Sequence, residues 1–193
     1  MPYFVFAEFG NPHVADFLVE LRNALQCKKN LSPVHVTLRG PYRTPPSLDQ
    51  LREYSERLLG YGVRIGNYGY FSTKKGYAAF VLAECTIFRE LWDKPDYKTP
   101  LEFIKPHITM FESTERSAAL EVRAFLRKEN ILIHTYNISL SVYESRSVQE
   151  DMFGGPVVVP SNLPKHQDIL RIPKGILDRA RVIGTKCAEL LKE

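Results

Sequence analysis

The sequence predicts an α+β protein: two pseudo-symmetric lobes of antiparallel sheet flanked by helices, with a central cleft. Three observations carry this reading. Short apolar or alternating runs read as strands along the whole chain. Amphipathic segments of helical period lie between them. The order strand, helix, strand, strand occurs twice, once from His35 and once from His107.

Tyr3 to Phe9 (YFVFAEF) reads as a buried strand. Asn11-Pro12 then supplies an N-cap with proline at the first helical position. Val14, Phe17, Leu18, Leu21, Ala24 and Leu25 fall on one face of the helix that follows. A short strand covers Val34 to Leu38, and Gly40, Pro41, Pro45 and Pro46 predict a loop. Ser47 caps a second helix, which Gly60 and Gly62 end. Val63 to Ser72 and Tyr77 to Ala83 are two strands joined by a turn at Thr73 to Gly76.

A short helix near Ile87 to Trp92 and a proline-bounded loop, Pro95 to Pro100, lead into a strand over Phe103 to Phe111. Thr114 caps a third long helix. Tyr136 to Tyr143 alternates as a strand, and Pro156 to Pro160 is another. The organisation is then a two-lobed domain over residues 1–160 and a C-terminal extension over 161–193. The extension ends in an amphipathic helix, Gly175 to Leu191, that covers the domain with Ile176, Ala180, Ile183, Cys187 and Leu190.

Composition narrows the class. The chain has 193 residues, 44% hydrophobic and 25% charged, which suits one folded domain rather than a disordered chain. No apolar run approaches a membrane span. Three scattered cysteines (Cys27, Cys85, Cys187) without a CxxC pair suit a reducing compartment and argue against structural zinc. With no basic, apolar leader at Met1, the expectation is a cytoplasmic monomer. A net charge of +4 permits an anionic ligand without demanding one.

Two segments stand out: Val34-His35-Val36-Thr37-Leu38 and Pro106-His107-Ile108-Thr109-Met110. A strand alternates its faces with period two, so His35 and Thr37 share a face and Val36 and Leu38 share the other. His107 and Thr109 repeat the arrangement. Two such hits with apolar flanks arise by chance in roughly 0.1% of sequences of this composition. Phosphodiester hydrolysis calls for such a pair, a base on the attacking water and an acid on the departing oxygen, placed on opposite sides of phosphorus. Histidine serves either role near neutral pH. The Thr37 and Thr109 hydroxyls would donate to the non-bridging oxygens. No Walker-type loop or cluster with ligand spacing calls for a cofactor or a metal. His13, His134 and His166 read as structural.

Continuing the alternation, Arg39 follows Thr37, with phosphate binding and a surface salt bridge as equal readings, and Phe111 follows Thr109, where core packing is the better reading and base stacking the other. Tyr42, Tyr68, Tyr70 and Tyr143 are further stacking candidates, and Lys105 lies on the His107 face. Ser145 to Gly155 is a candidate rim loop.

These motifs, with Leu140-Ser141-Val142-Tyr143-Glu144-Ser145 and Gly154-Gly155-Pro156, resemble the two-histidine (2H) phosphoesterase superfamily. The likeness is to bacterial RNA 2′,3′-cyclic phosphodiesterases, also called 2′-5′ RNA ligases, and covers about residues 1–160. Arg39-Gly40 departs from it, since the family more often has an aromatic residue there. The resemblance implies a cyclic phosphodiesterase acting on an RNA end or a cyclic nucleotide. His35 and His107 would be catalytic, Thr37 and Thr109 would bind phosphate, and Tyr143 would lie in the closing strand. It implies a 2′-phosphate product, weak reverse ligation, and no cofactor. Two rivals stand beside this reading. One keeps the chemistry and acts on 2′-5′ linked or cyclic oligonucleotide signals. The other is a non-catalytic RNA- or nucleotide-binding module.

Overall fold

The N-terminal strand β1 (Tyr3–Phe9) sits at the centre of the first sheet because both its faces are largely apolar. In the computed structural model, which describes residues 2–30, 32–91, 105–144, 154–162 and 165–190, the chain is α+β. Two antiparallel sheets are flanked by helices. The remaining strands are β2 (His35–Tyr42), β3 (Val63–Thr73), β4 (Gly76–Glu84), β5 (His107–Ser113), β6 (Leu132–Thr135), β7 (Ile138–Glu144), β8 (Gly154–Val158) and β9 (Ile169–Arg171). The helices are α1 (Pro12–Gln26), α2 (Leu48–Arg57), α3 (Thr86–Leu91), α4 (Arg116–Glu129) and α5 (Ile176–Leu190).

The four-stranded sheet has the order β2-β1-β7-β8 and the five-stranded sheet the order β5-β4-β3-β6-β9. Each sheet therefore draws strands from both halves of the sequence, and β2 and β5 are edge strands that meet. The second strand-helix-strand-strand run is β5-α4-β6-β7, so its strands are 132–135 and 138–144 rather than 136–143 and 156–160. β6 escapes the sequence pattern because four residues are too few to show alternation.

Local signals explain most elements. Asn11 caps α1, its side chain accepting from the His13 amide, with Pro12 at the first helical position. Ser47 and Gln50 form a reciprocal capping box on α2. The N-cap of α4 is Glu115 rather than Thr114, and Ser113 Oγ accepts the Glu115 amide at 2.9 Å. β2 runs through Gly40-Pro41, which sequence predicts as loop. Proline is tolerated because β2 is an edge, where a missing N–H costs no ladder bond. The strand predicted from Phe103 begins at His107 among the described residues, and the Pro95–Pro100 loop lies outside them.

The segment after residue 160 is tied into the sheets. β9 pairs with β6, and the Asp168 carboxylate accepts from Asn11 Nδ2 (2.6 Å), Thr135 Oγ1 (2.7 Å) and the Tyr136 amide (3.0 Å). Helix α5 packs on α1 and α4, burying Ile176, Ala180, Gly184 and Cys187, while Leu190 stays exposed. The three cysteines are free thiols. Among the described residues no helix is long and apolar enough to cross a membrane.

Candidate active site

β2 and β5 use the same local geometry. On β2, Thr37 pairs with Phe6 and Arg39 with the adjacent Val5, so Leu38 is an extra residue. On β5, Thr109 pairs with Phe80 and Phe111 with the adjacent Ala79, so Met110 is extra. Each histidine strand thus carries a bulge directly after its threonine. A bulge moves the following side chain to the other face. Up to that point the alternation holds: Val36, Leu38, Ile108 and Met110 are buried, and the histidines and threonines are half-buried.

The bulges take Arg39 off the cavity, against its reading as a phosphate ligand, and put Phe111 in the core, the better of its two readings. Arg39 leaves the Thr37 face and is 6% exposed, its guanidinium lying over the Tyr54 ring at 4.2 Å and the Tyr42 ring at 5.4 Å. Tyr42 is accordingly a support for Arg39. Phe111 turns into the core and is 4% exposed. Neither lines the histidine cavity.

His35, Thr37, His107 and Thr109 line one cavity of about 280 Å³. Arg22, Gln26, Asn30, Ser32 and Glu112 share the wall. In each motif the imidazole Nδ1–H donates to the carbonyl two residues upstream: Pro33 at 3.3 Å for His35, Lys105 at 2.7 Å for His107. A carbonyl can only accept, so Nδ1 carries the hydrogen and Nε2 is left to work. Each ring also rests on the phenylalanine paired with its threonine. Phe6 stacks on His35 at 3.8 Å and 10°, and Phe80 meets His107 at 4.9 Å and 49°. Phe71 adds an edge contact to His107 at 5.1 Å.

Burial pushes both imidazoles below the usual histidine range. The Lys105 carbonyl pulls His107 back up. For His35 the Pro33 carbonyl and the Glu8 charge pull up, while Arg22 and His107 push down. Both rings therefore favour the neutral form at pH 7. A phosphate between them would raise both.

Tyr143 is 7% exposed and packs on Phe6 at 4.9 Å, with its ring 6.4 Å from His35. Its hydroxyl donates to Glu8 Oε1 at 2.6 Å, and burial followed by that bond pushes it up to about 12. It supports the His35 side from behind. Tyr68 donates to the Ile131 carbonyl, and Tyr70 accepts from Arg116, so both serve elsewhere. Lys105 precedes β5 and lines a neighbouring pocket of about 540 Å³ with Arg64, Arg89 and Glu84. The candidate rim loop lies outside the described residues over 145–153.

Sequence reasoning missed Arg22, Glu8, Phe6 and Phe80. Arg22 had a signal: a charged residue on the apolar stripe of α1, beside Leu18, Leu21 and Leu25. It is 7% exposed, and its Nη2 donates to the Asn30 and Ser32 carbonyls, holding the segment that leads to Pro33. The phenylalanines and Glu8 had none, since only register brings them to the histidines. Among the described residues no group of three or more His, Cys, Asp or Glu could hold a metal ion. No family model matches the chain, and no curated protein matches it.

Proposed function

We propose that the protein is a metal-independent phosphodiesterase of the 2H type that opens 2′,3′-cyclic phosphates. One observation carries the reading: two His-x-Thr strands from different sheets present all four polar side chains to one cavity. The cyclic phosphate would lie between the rings. One Nε2 takes a proton from water as its oxygen attacks phosphorus. The other imidazole, protonated, gives its proton to the departing ribose oxygen, so the ring opens to a monoester. Thr37 and Thr109 donate to the non-bridging oxygens, where charge builds. The two bulges and the two phenylalanines act as matched supports, which favours reading the sheets as lobes about a local two-fold axis.

The resemblance points to the 2′-phosphate product and to weak reverse ligation. The pocket at Lys105 also holds Arg89 and an Arg64 paired with Glu84, a net positive lining that favours an RNA chain over a lone nucleotide. The free, scattered cysteines favour a cytoplasmic setting. The test is a panel of 2′,3′-cyclic nucleotides, RNA ends and cyclic dinucleotides, run with EDTA and without ATP, with product phosphate position read by NMR. His35→Ala and His107→Ala should each remove nearly all turnover while the fold survives, and the double variant should be little worse. Full activity in either folded single variant, or dependence on a divalent ion, overturns the reading.

A further inference from the structure

The two histidines share one pattern of support, although the carbonyl contact is shorter at His107 and Phe71 adds an edge to that ring; against this pattern the residue opposite each histidine stands out. Each has a carbonyl on Nδ1, a phenylalanine against the ring and a bulge after the threonine. The residue opposite His107 on the neighbouring strand is Leu82. The residue opposite His35 is Glu8. Directly opposed side chains on an antiparallel pair lie within about 5 Å at Cβ. Glu8 is moreover held in place: Oε1 accepts from Ser141 Oγ at 2.5 Å and from the Tyr143 hydroxyl at 2.6 Å. A lone surface carboxylate would not need two buried donors; this one is anchored on the face that carries Phe6 and His35.

We propose that Glu8 is the positioning residue that divides the two histidines into acid and base, holding its carboxylate beside His35 so that His35 gives the proton to the leaving oxygen. This rests on the phosphodiesterase reading. A bound cyclic diester carries one negative charge and draws a proton to both rings alike, so the surroundings break the tie. The titratable and charged groups facing His35 are Glu8 from β1, Tyr143 from β7, Arg22 from α1, and His107 and Glu112 from β5. Arg22 and His107 push the proton away, and Glu8 exerts the largest single charge effect. Arg22 is moreover turned to the Asn30 and Ser32 carbonyls, whose dipoles offset part of its charge. Among the described residues no charged side chain shifts His107 in this way, and the Lys105 carbonyl supports it. His107 is then the neutral base and His35 the acid.

Glu8→Gln tests this with little disturbance, because the amide oxygen still accepts from Ser141 and Tyr143. The titration of both imidazoles is followed by NMR in parent and variant, beside the pH–rate profile on a 2′,3′-cyclic nucleotide. The expected result is a drop of about one pH unit in the His35 midpoint with His107 unmoved. The alkaline limb of the rate should move down by the same amount, about tenfold less turnover beyond it. Tyr143→Phe, which loosens the carboxylate, should move His35 in the same sense by less. An unmoved His35 midpoint overturns the proposal, and so does movement of the acidic limb instead. If the parent shows no turnover on cyclic phosphates, the functional reading fails, while the NMR titration still decides whether Glu8 sets the His35 proton.

Discussion

At Gly184 helix α5 lies close against the backbone of α1, and Gly184→Ala tests whether the C-terminal helix is part of the fold. A Cβ there would lie 2.3 Å from the Ala24 carbonyl oxygen and 2.7 Å from that of Leu25. Ordinary contact begins near 3.4 Å, so the two helices must part by about 1 Å. Both obstacles are backbone atoms, and no rotamer change relieves them. Alanine is the better helix former by about 1 kcal/mol, which works in the opposite direction. With backbone atoms as the obstacles the cost sits at the upper end of the usual range for overpacking, about 3 kcal/mol, so the clash wins by about 2 kcal/mol. For a chain of this size that is a fall in Tm of about 4–8 °C. Differential scanning calorimetry of parent and variant measures it. An unchanged or raised Tm would mean that α5 does not seat on α1 as described, and the reasoning from Gly184 would fail.

Two further outcomes follow from the histidine cavity. Thr37→Val and Thr109→Val keep the strand shape and remove one hydroxyl donor each, so turnover on a cyclic phosphate should fall about 10- to 1000-fold per substitution with Tm almost unchanged; a loss under twofold at both positions would remove the threonines from the mechanism. Burial holds both imidazoles below their ordinary value of 6.5, so the unfolded chain binds more protons than the native one just below that pH. Stability should therefore be full above about pH 6.5 and decline as the pH falls below it. The double variant His35→Gln, His107→Gln should flatten that decline in thermal melts from pH 8 to 5, and an unaltered slope would contradict the burial argument.

Sequence by itself determined the elements whose signals are local. The Asn11-Pro12 and Ser47–Gln50 caps, the hairpin turn before Gly76 and the apolar stripes of α1 and α5 are short-range chemistry. It also singled out His35, Thr37, His107 and Thr109, which line one cavity, because the His-x-Thr repeat is a pattern of residue types at a spacing of two. Tertiary structure decided what period-two reasoning cannot reach. A bulge depends on how a strand pairs, not on what the strand contains, so the loss of Arg39 from the cavity face was invisible in the chain, while Phe111 already read better as a core residue. The same holds for Phe6, Phe80 and Glu8, which meet the histidines only through the registers of β1 on β2 and β4 on β5. The exchange of strands between the sheets follows from long-range pairing, above all β1 with β7, whose apolar faces match across more than a hundred residues of chain. No local propensity records that choice, because its free energy lies in burial shared between distant segments.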